Sequence, residues 1–108
     1  MAWVSDVGDL WRTGGDIRAE WKSITANAHS NNAWASNGRP GHFNDADMLE
    51  VGNGDLTLAE QRSHFALWCI MKSPLILGTC CEKAIHTPSS SMTHDATRVS
   101  QAGSVYKV

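Results

Sequence analysis

The sequence has no apolar run near the roughly 20 residues that a membrane-spanning helix requires, and its 108 residues carry a formal net charge of only −2. The first absence argues against a helical membrane span. The second removes the basic surface that nucleic acid or an anionic membrane would need, so neither is expected as a partner. The start, Met1 to Asp6, lacks a basic end followed by a long apolar stretch. No signal peptide is expected there, and the chain reads as one entered midway. No Asn-x-Ser/Thr acceptor for N-linked sugar occurs, so the compartment stays open. His29, His42, His64, His86 and His94 show no metal-binding spacing such as His-Glu-x-x-His, and His64 reads as a helix-face residue.

Cysteine is sparse as well. There are three, and two of them, Cys80 and Cys81, are neighbours whose mutual disulfide would strain the peptide between them. A zinc site from Cys80, Cys81 and His86 lacks the separated ligand pairs of structural zinc modules. Cys69, among Leu67, Trp68 and Ile70, reads as a small buried hydrophobe. No metal and no organic cofactor is expected.

What is present alternates strand and helix signals. Trp3, Val4 and Val7 suggest a short strand that ends in the turn-rich Gly8-Asp9 and Gly14-Gly15. From Ile17 the apolar positions Ile17, Trp21, Ile24 and Ala28 recur at helical spacing, and the helix should fade at Asn31-Asn32. Asn37 to Gly41 is a loop by its chemistry, and Gly41 to Met48 a strand with its exit. Thr57-Leu58-Ala59-Glu60 fits a capping box. The helix it opens becomes apolar on nearly every side from Phe65 to Met71, so its end should be deeply buried. Pro74 stops it, and Leu75-Ile76-Leu77 reads as a strand covered on both faces. Trp21 and Trp68 are expected in the core, Trp11 and Trp34 nearer a cleft. The order of elements predicts a parallel α/β fold. Residues 1–79 form one unit, and residues 80–108, turn-rich and weakly apolar, a divergent mobile tail.

The chemistry concentrates in Asn44-Asp45-Ala46-Asp47-Met48, where two carboxylates and an amide crowd the exit of an apolar strand. Buried carboxylates are expensive unless they bind something. An EF-hand counted from Asp45 places Leu49 and Glu50 where an oxygen ligand and a glycine belong, so that reading fails. Asx-turn chemistry is the simpler alternative and is compatible with ligand binding. Upstream, Asp16 after Gly14-Gly15 taken alone is an ordinary helix cap, and Arg12 alone a surface charge or ion-pair partner.

Taken together, Trp11-Arg12-Thr13-Gly14-Gly15-Asp16-Ile17, the Asn44 to Met48 stretch and Lys72-Ser73-Pro74-Leu75-Ile76-Leu77-Gly78 resemble, in the same order, the α-galactosidase (melibiase) family of retaining glycoside hydrolases. The resemblance spans about Val7 to Thr79. It implies a partial (β/α)8 barrel, from about the sixth to the eighth strand, with two helices between three parallel strands. It also implies hydrolysis of terminal α-linked galactose, or of α-N-acetylgalactosaminides, with α-galactoside sugars as the partners.

By the family's Arg-x-x-x-Asp motif, Asp16 is the acid/base and Arg12 holds sugar hydroxyls. By its Trp-Asn-Asp-Pro-Asp-Met motif, Asp47 and Met48 line the sugar pocket, while Asn44 and Asp45 orient it from behind. His42-Phe43 and Ala46 stand where the family has Gly-Trp and Pro, which removes the rigidity of a proline from the turn. The family's nucleophile lies in a Lys-x-Asp motif on an earlier strand, and no Lys-Phe-Asp or Lys-Tyr-Asp occurs here. The chain alone is therefore expected to be inactive, and to self-associate through unpaired strand edges. Family members are commonly secreted or lysosomal.

Overall fold

The computed structural model describes residues 3–79. The proposed tail, with Cys80, Cys81, His86 and His94, lies outside them. Where a strand was expected, Val4–Asp6 winds into one turn of 3-10 helix. The first strand, β1, comes later, at Leu10–Arg12. Helix α1 spans Trp21–Ala33, strand β2 Phe43–Asp45, and helix α2 Leu58–Met71. A second 3-10 turn, Ala35–Asn37, follows α1.

Strands β1 and β2 are parallel, with Leu10 beside Phe43, Trp11 beside Asn44 and Arg12 beside Asp45. With α1 between them they make the βαβ unit expected from the order of signals. The expected third strand survives as a single parallel bridge, Leu49 to Leu77. It is secured by Leu49 N–H to the Ile76 carbonyl and Gly78 N–H to the Leu49 carbonyl. Leu75 to Leu77 meet the exit of β2 rather than β2 itself, and all three side chains remain exposed. The double cover predicted for them is not present among the described residues.

Helix α1 starts four residues later than its apolar period. The Ile17 N–H is taken by the Asp47 carboxylate at 2.8 Å, which holds Ile17 in the preceding loop. Trp21 is consequently on the exposed side rather than in the core, whereas Trp68 is wholly buried. The capping box of α2 forms as predicted: Thr57 Oγ1 accepts from the Glu60 N–H, and Glu60 Oε2 accepts from the Thr57 N–H. These Thr57 bonds also hold the Glu60 carboxyl below its ordinary pKa. The helix closes on Lys72 in the left-handed region, two residues before Pro74. Its end is less buried than expected, since Ile70 is exposed. Cys69 is only partly buried, and that burial pushes its thiol pKa up.

The core consists of Ile24, Ala46, Leu49, Val51, Leu56 and Trp68, with Ile17, Ala28, Phe65 and Met71 packed against it. It lies between the two helices and the segment leaving β2. His64, read from the sequence as a helix-face residue, is fully buried here. Its Nε2 accepts from the Glu50 N–H at 3.0 Å, and burial pushes its pKa down to about 4.

Candidate active site

Both parallel strands deliver a polar group at their carboxyl ends, Arg12 from β1 and Asp45 from β2. Two residues further on, Asp47 turns back toward Arg12. The Arg12 Nη2 lies 2.7 Å from Asp47 Oδ2 and 3.3 Å from Asp16 Oδ1, and it also donates to the Gly15 carbonyl at 2.9 Å. A single guanidinium thus gathers both candidate carboxylates.

The two carboxylates sit in opposite environments. The Asp47 side chain is 9% exposed and that of Asp16 100%. Asp47 Oδ2 accepts from the Ile17 N–H and Oδ1 from the Met48 N–H, each at 2.8 Å. With Arg12, these contacts take three of the roughly four acceptor positions a carboxylate offers. Asp16 does not cap α1, whose N-cap is Glu20. Its side chain projects into solvent beside Arg12. Arg12 Nε is buried without a partner among the described residues.

Asp47 adopts φ 86, a conformation that strains a residue bearing a β-carbon unless its surroundings hold it. They do. Its N–H donates to Asp45 Oδ1 at 2.8 Å, the Asx-turn anticipated from sequence. Its carbonyl accepts from Trp68 Nε1 at 2.6 Å. Asp45 therefore shapes the backbone of its neighbour. Asn44 is buried and donates to the Trp34 carbonyl at 2.7 Å, tying β2 to the turn after α1. Its Oδ1 is buried without a partner among the described residues. Met48 is exposed next to Asp47, an apolar surface beside the charged cluster. Trp11 is buried, and its ring centroid lies 6.4 Å from that of His42.

Sequence reasoning missed the polar support beneath this cluster. Asn27 donates to the Gly15 and Ala46 carbonyls, Ser30 to the Thr13 carbonyl, and Asn31 to Thr13 Oγ1. Thr13 in turn bonds the Asp45 carbonyl through both N–H and Oγ1. From the other side, Ser73 Oγ accepts from the Ala46 N–H at 2.9 Å. A helical stripe of Asn27, Ser30 and Asn31 was the available signal: three polar residues at i, i+3 and i+4 face one direction.

The melibiase family described as Alpha galactosidase A matches residues 2–100. Alpha-galactosidase 2 of Arabidopsis thaliana is 54% identical over 76 residues, covering 70% of this chain and 19% of its own length. Probable alpha-galactosidase B of Talaromyces emersonii is 51% identical over 81 residues, covering 75% and 18%. The chain thus spans about a fifth of the length of these curated relatives. Among solved structures, the α-galactosidase of Saccharomyces cerevisiae aligns with TM-score 0.69 at 32% identity, over 72% of this chain and 22% of its own. A putative α-galactosidase/melibiase from Bacteroides fragilis aligns with TM-score 0.77 at 32% identity, over 93% and 25%. By sequence and by fold alike, this chain belongs to the α-galactosidase (melibiase) family of glycoside hydrolases.

Proposed function

We propose that this chain is the part of a (β/α)8 catalytic barrel running from about the sixth to the eighth strand. The complete enzyme hydrolyses terminal α-linked galactose with retention, without metal or organic cofactor. The observation that carries this reading is the Arg12 bridge between Asp16 and Asp47 at the carboxyl ends of two parallel strands, where barrel enzymes assemble their sites. The exposed apolar side chains of Leu10, Phe43, Leu75, Ile76 and Leu77 fit the same reading. They are surfaces that neighbouring strands and helices of a closed barrel would cover.

A retaining glycosidase needs two carboxyl groups about 5 Å apart across the anomeric carbon. One attacks that carbon and forms a glycosyl-enzyme. The other protonates the leaving oxygen, then deprotonates the water that releases the sugar. Asp16 is the second of these: exposed, next to a cation, and on the loop leaving β1. Asp47, Met48 and Arg12 line the sugar position, with Asp45 and Asn44 orienting them. The nucleophile belongs to the part of the barrel upstream of these motifs. Completing the barrel with the upstream portion of a close relative and assaying an aryl α-galactoside tests this. Retained-configuration galactose is the expected product; turnover of the α-N-acetylgalactosaminide in its place moves the substrate assignment, and no turnover of either overturns the reading.

One observation favours a second reading for the chain by itself. Its 108 residues contain no Lys-Phe-Asp or Lys-Tyr-Asp motif to supply a nucleophile. A sugar hydroxyl bond contributes only about 1 kcal/mol net, too little to order a half-built pocket. Residues 1–108 alone are therefore a non-catalytic piece, with no hydrolysis and galactose affinity weaker than millimolar. Saturable amide shifts at Asp47 and Met48 below millimolar galactose would contradict this.

A further inference from the structure

Three side chains on one face of α2 bond the backbone of the segment that follows β2, and they do so in antiparallel order. Gln61 Oε1 accepts from the Gly52 N–H at 3.1 Å, His64 Nε2 accepts from the Glu50 N–H at 3.0 Å, and Trp68 Nε1 donates to the Asp47 carbonyl at 2.6 Å. Spacings of three and four residues keep them on one helical face. His64 and Trp68 are both fully buried and meet edge to face, with ring centroids 4.2 Å apart. Each ring therefore limits the other's rotation while its nitrogen holds a backbone group.

Burying Leu49 and Val51 would require only apolar side chains from α2. The helix instead commits three polar atoms to the backbone of the acidic segment, where Asp47 sits in the left-handed region. We propose that Gln61, His64 and Trp68 are positioning residues: they hold the Asp47–Gly52 backbone so that the Asp47 carboxylate points at Arg12 and the Ile17 N–H. Their bearing on sugar binding rests on the galactosidase reading above; the ladder itself does not. His64 serves as a neutral ring with its hydrogen on Nδ1, since the Glu50 N–H occupies the lone pair of Nε2.

Amide hydrogen exchange on the whole 108-residue chain at neutral pH tests the proposal. Ile17 N–H is the distant reporter, because its acceptor is Asp47 Oδ2. His64→Phe keeps an aromatic ring but offers no acceptor. The expected result is exchange about tenfold faster at Glu50, Met48 and Ile17, with the middle of α1 unchanged. His64→Gln restores an acceptor at similar reach and should return Ile17 and Met48 to within about twofold of the original.

Acceleration confined to Glu50, or equal acceleration throughout both helices, would overturn the positioning role. Should His64→Phe fail to fold, Gln61→Leu at its half-buried position repeats the test from the other end of the ladder. It should speed Gly52 and Glu50 most and Ile17 measurably; an unchanged Ile17 overturns the proposal. Galactose titration of the barrel-completed enzyme is a separate reading. Loss of sugar binding there with the exchange pattern intact counts against the galactosidase assignment and leaves the ladder standing.

Discussion

Arg12 and Asp47 lie 2.7 Å apart across the ends of two parallel strands, and the carboxylate side of the pair is nearly closed to solvent. Two strand ends that carry opposite charges are drawn together, and the left-handed turn at Asp47 is held against its own strain. Removing Arg12 would leave a largely buried carboxylate with only its two backbone donors. Because Arg12 itself is partly exposed, solvent replaces part of what is lost. Arg12→Ala should lower stability by about 1–3 kcal/mol, and Arg12→Ala with Asp47→Asn together by less than the sum of the two. Urea unfolding of the four proteins in a double-mutant cycle measures the coupling.

His64 makes the fold acid-sensitive in a defined window. Its pKa is about 4 when folded and about 6.5 when unfolded, so the unfolded chain binds the extra proton first. The stability it confers is complete above about pH 6.5 and is lost progressively as pH falls toward 4, to an extent on the order of 3 kcal/mol. Unfolding free energies of the original chain and His64→Gln, compared across that range, should diverge by the loss of this slope in the variant. Parallel curves would contradict it.

Gly54 has φ 57, and a β-carbon there would lie 2.8 Å from both the Cβ and the carbonyl oxygen of Ala19. The backbone oxygen cannot swing aside as a flexible side chain would. Gly54→Ala should destabilise by about 1–3 kcal/mol, whereas Gly15→Ala, which meets nothing within 4 Å, should change stability by less than about 1 kcal/mol. Thermal melts of both variants distinguish the crowded glycine from the open one.

Local rules made much of this chain legible. The capping box at Thr57 and Glu60 and the Asx-turn at Asp45 each depend on residues close in sequence, whose chemistry dictates their geometry directly, and the βαβ order shows in the alternation of strand and helix signals. The polar support did not announce itself. A hydrophobic-period reading assigns Asn27, Asn31 and His64 to the solvent side, because it does not register side chains that go inward to satisfy backbone groups. Ile17 follows the helical period yet lies in the loop before α1, where its N–H bonds the Asp47 carboxylate, a contact from a distant part of the chain that periodicity does not register. The apolar run Leu75 to Leu77 reads as a covered strand because its composition anticipates neighbours that the described residues do not provide.

We propose that Asp16 transfers the proton to the leaving oxygen, and the dependence of rate on the leaving group tests this most directly. In the barrel-completed enzyme, kcat/KM for Asp16→Ala should be compared on α-galactosides whose leaving groups range from alkyl alcohols to nitrophenols. A poor leaving group depends on the acid, so its kcat/KM should fall by about 10²–10⁴. A nitrophenol departs with little protonation and should lose far less. An equal loss across the series, or an undiminished rate with the poorest leaving group, would contradict the assignment of Asp16.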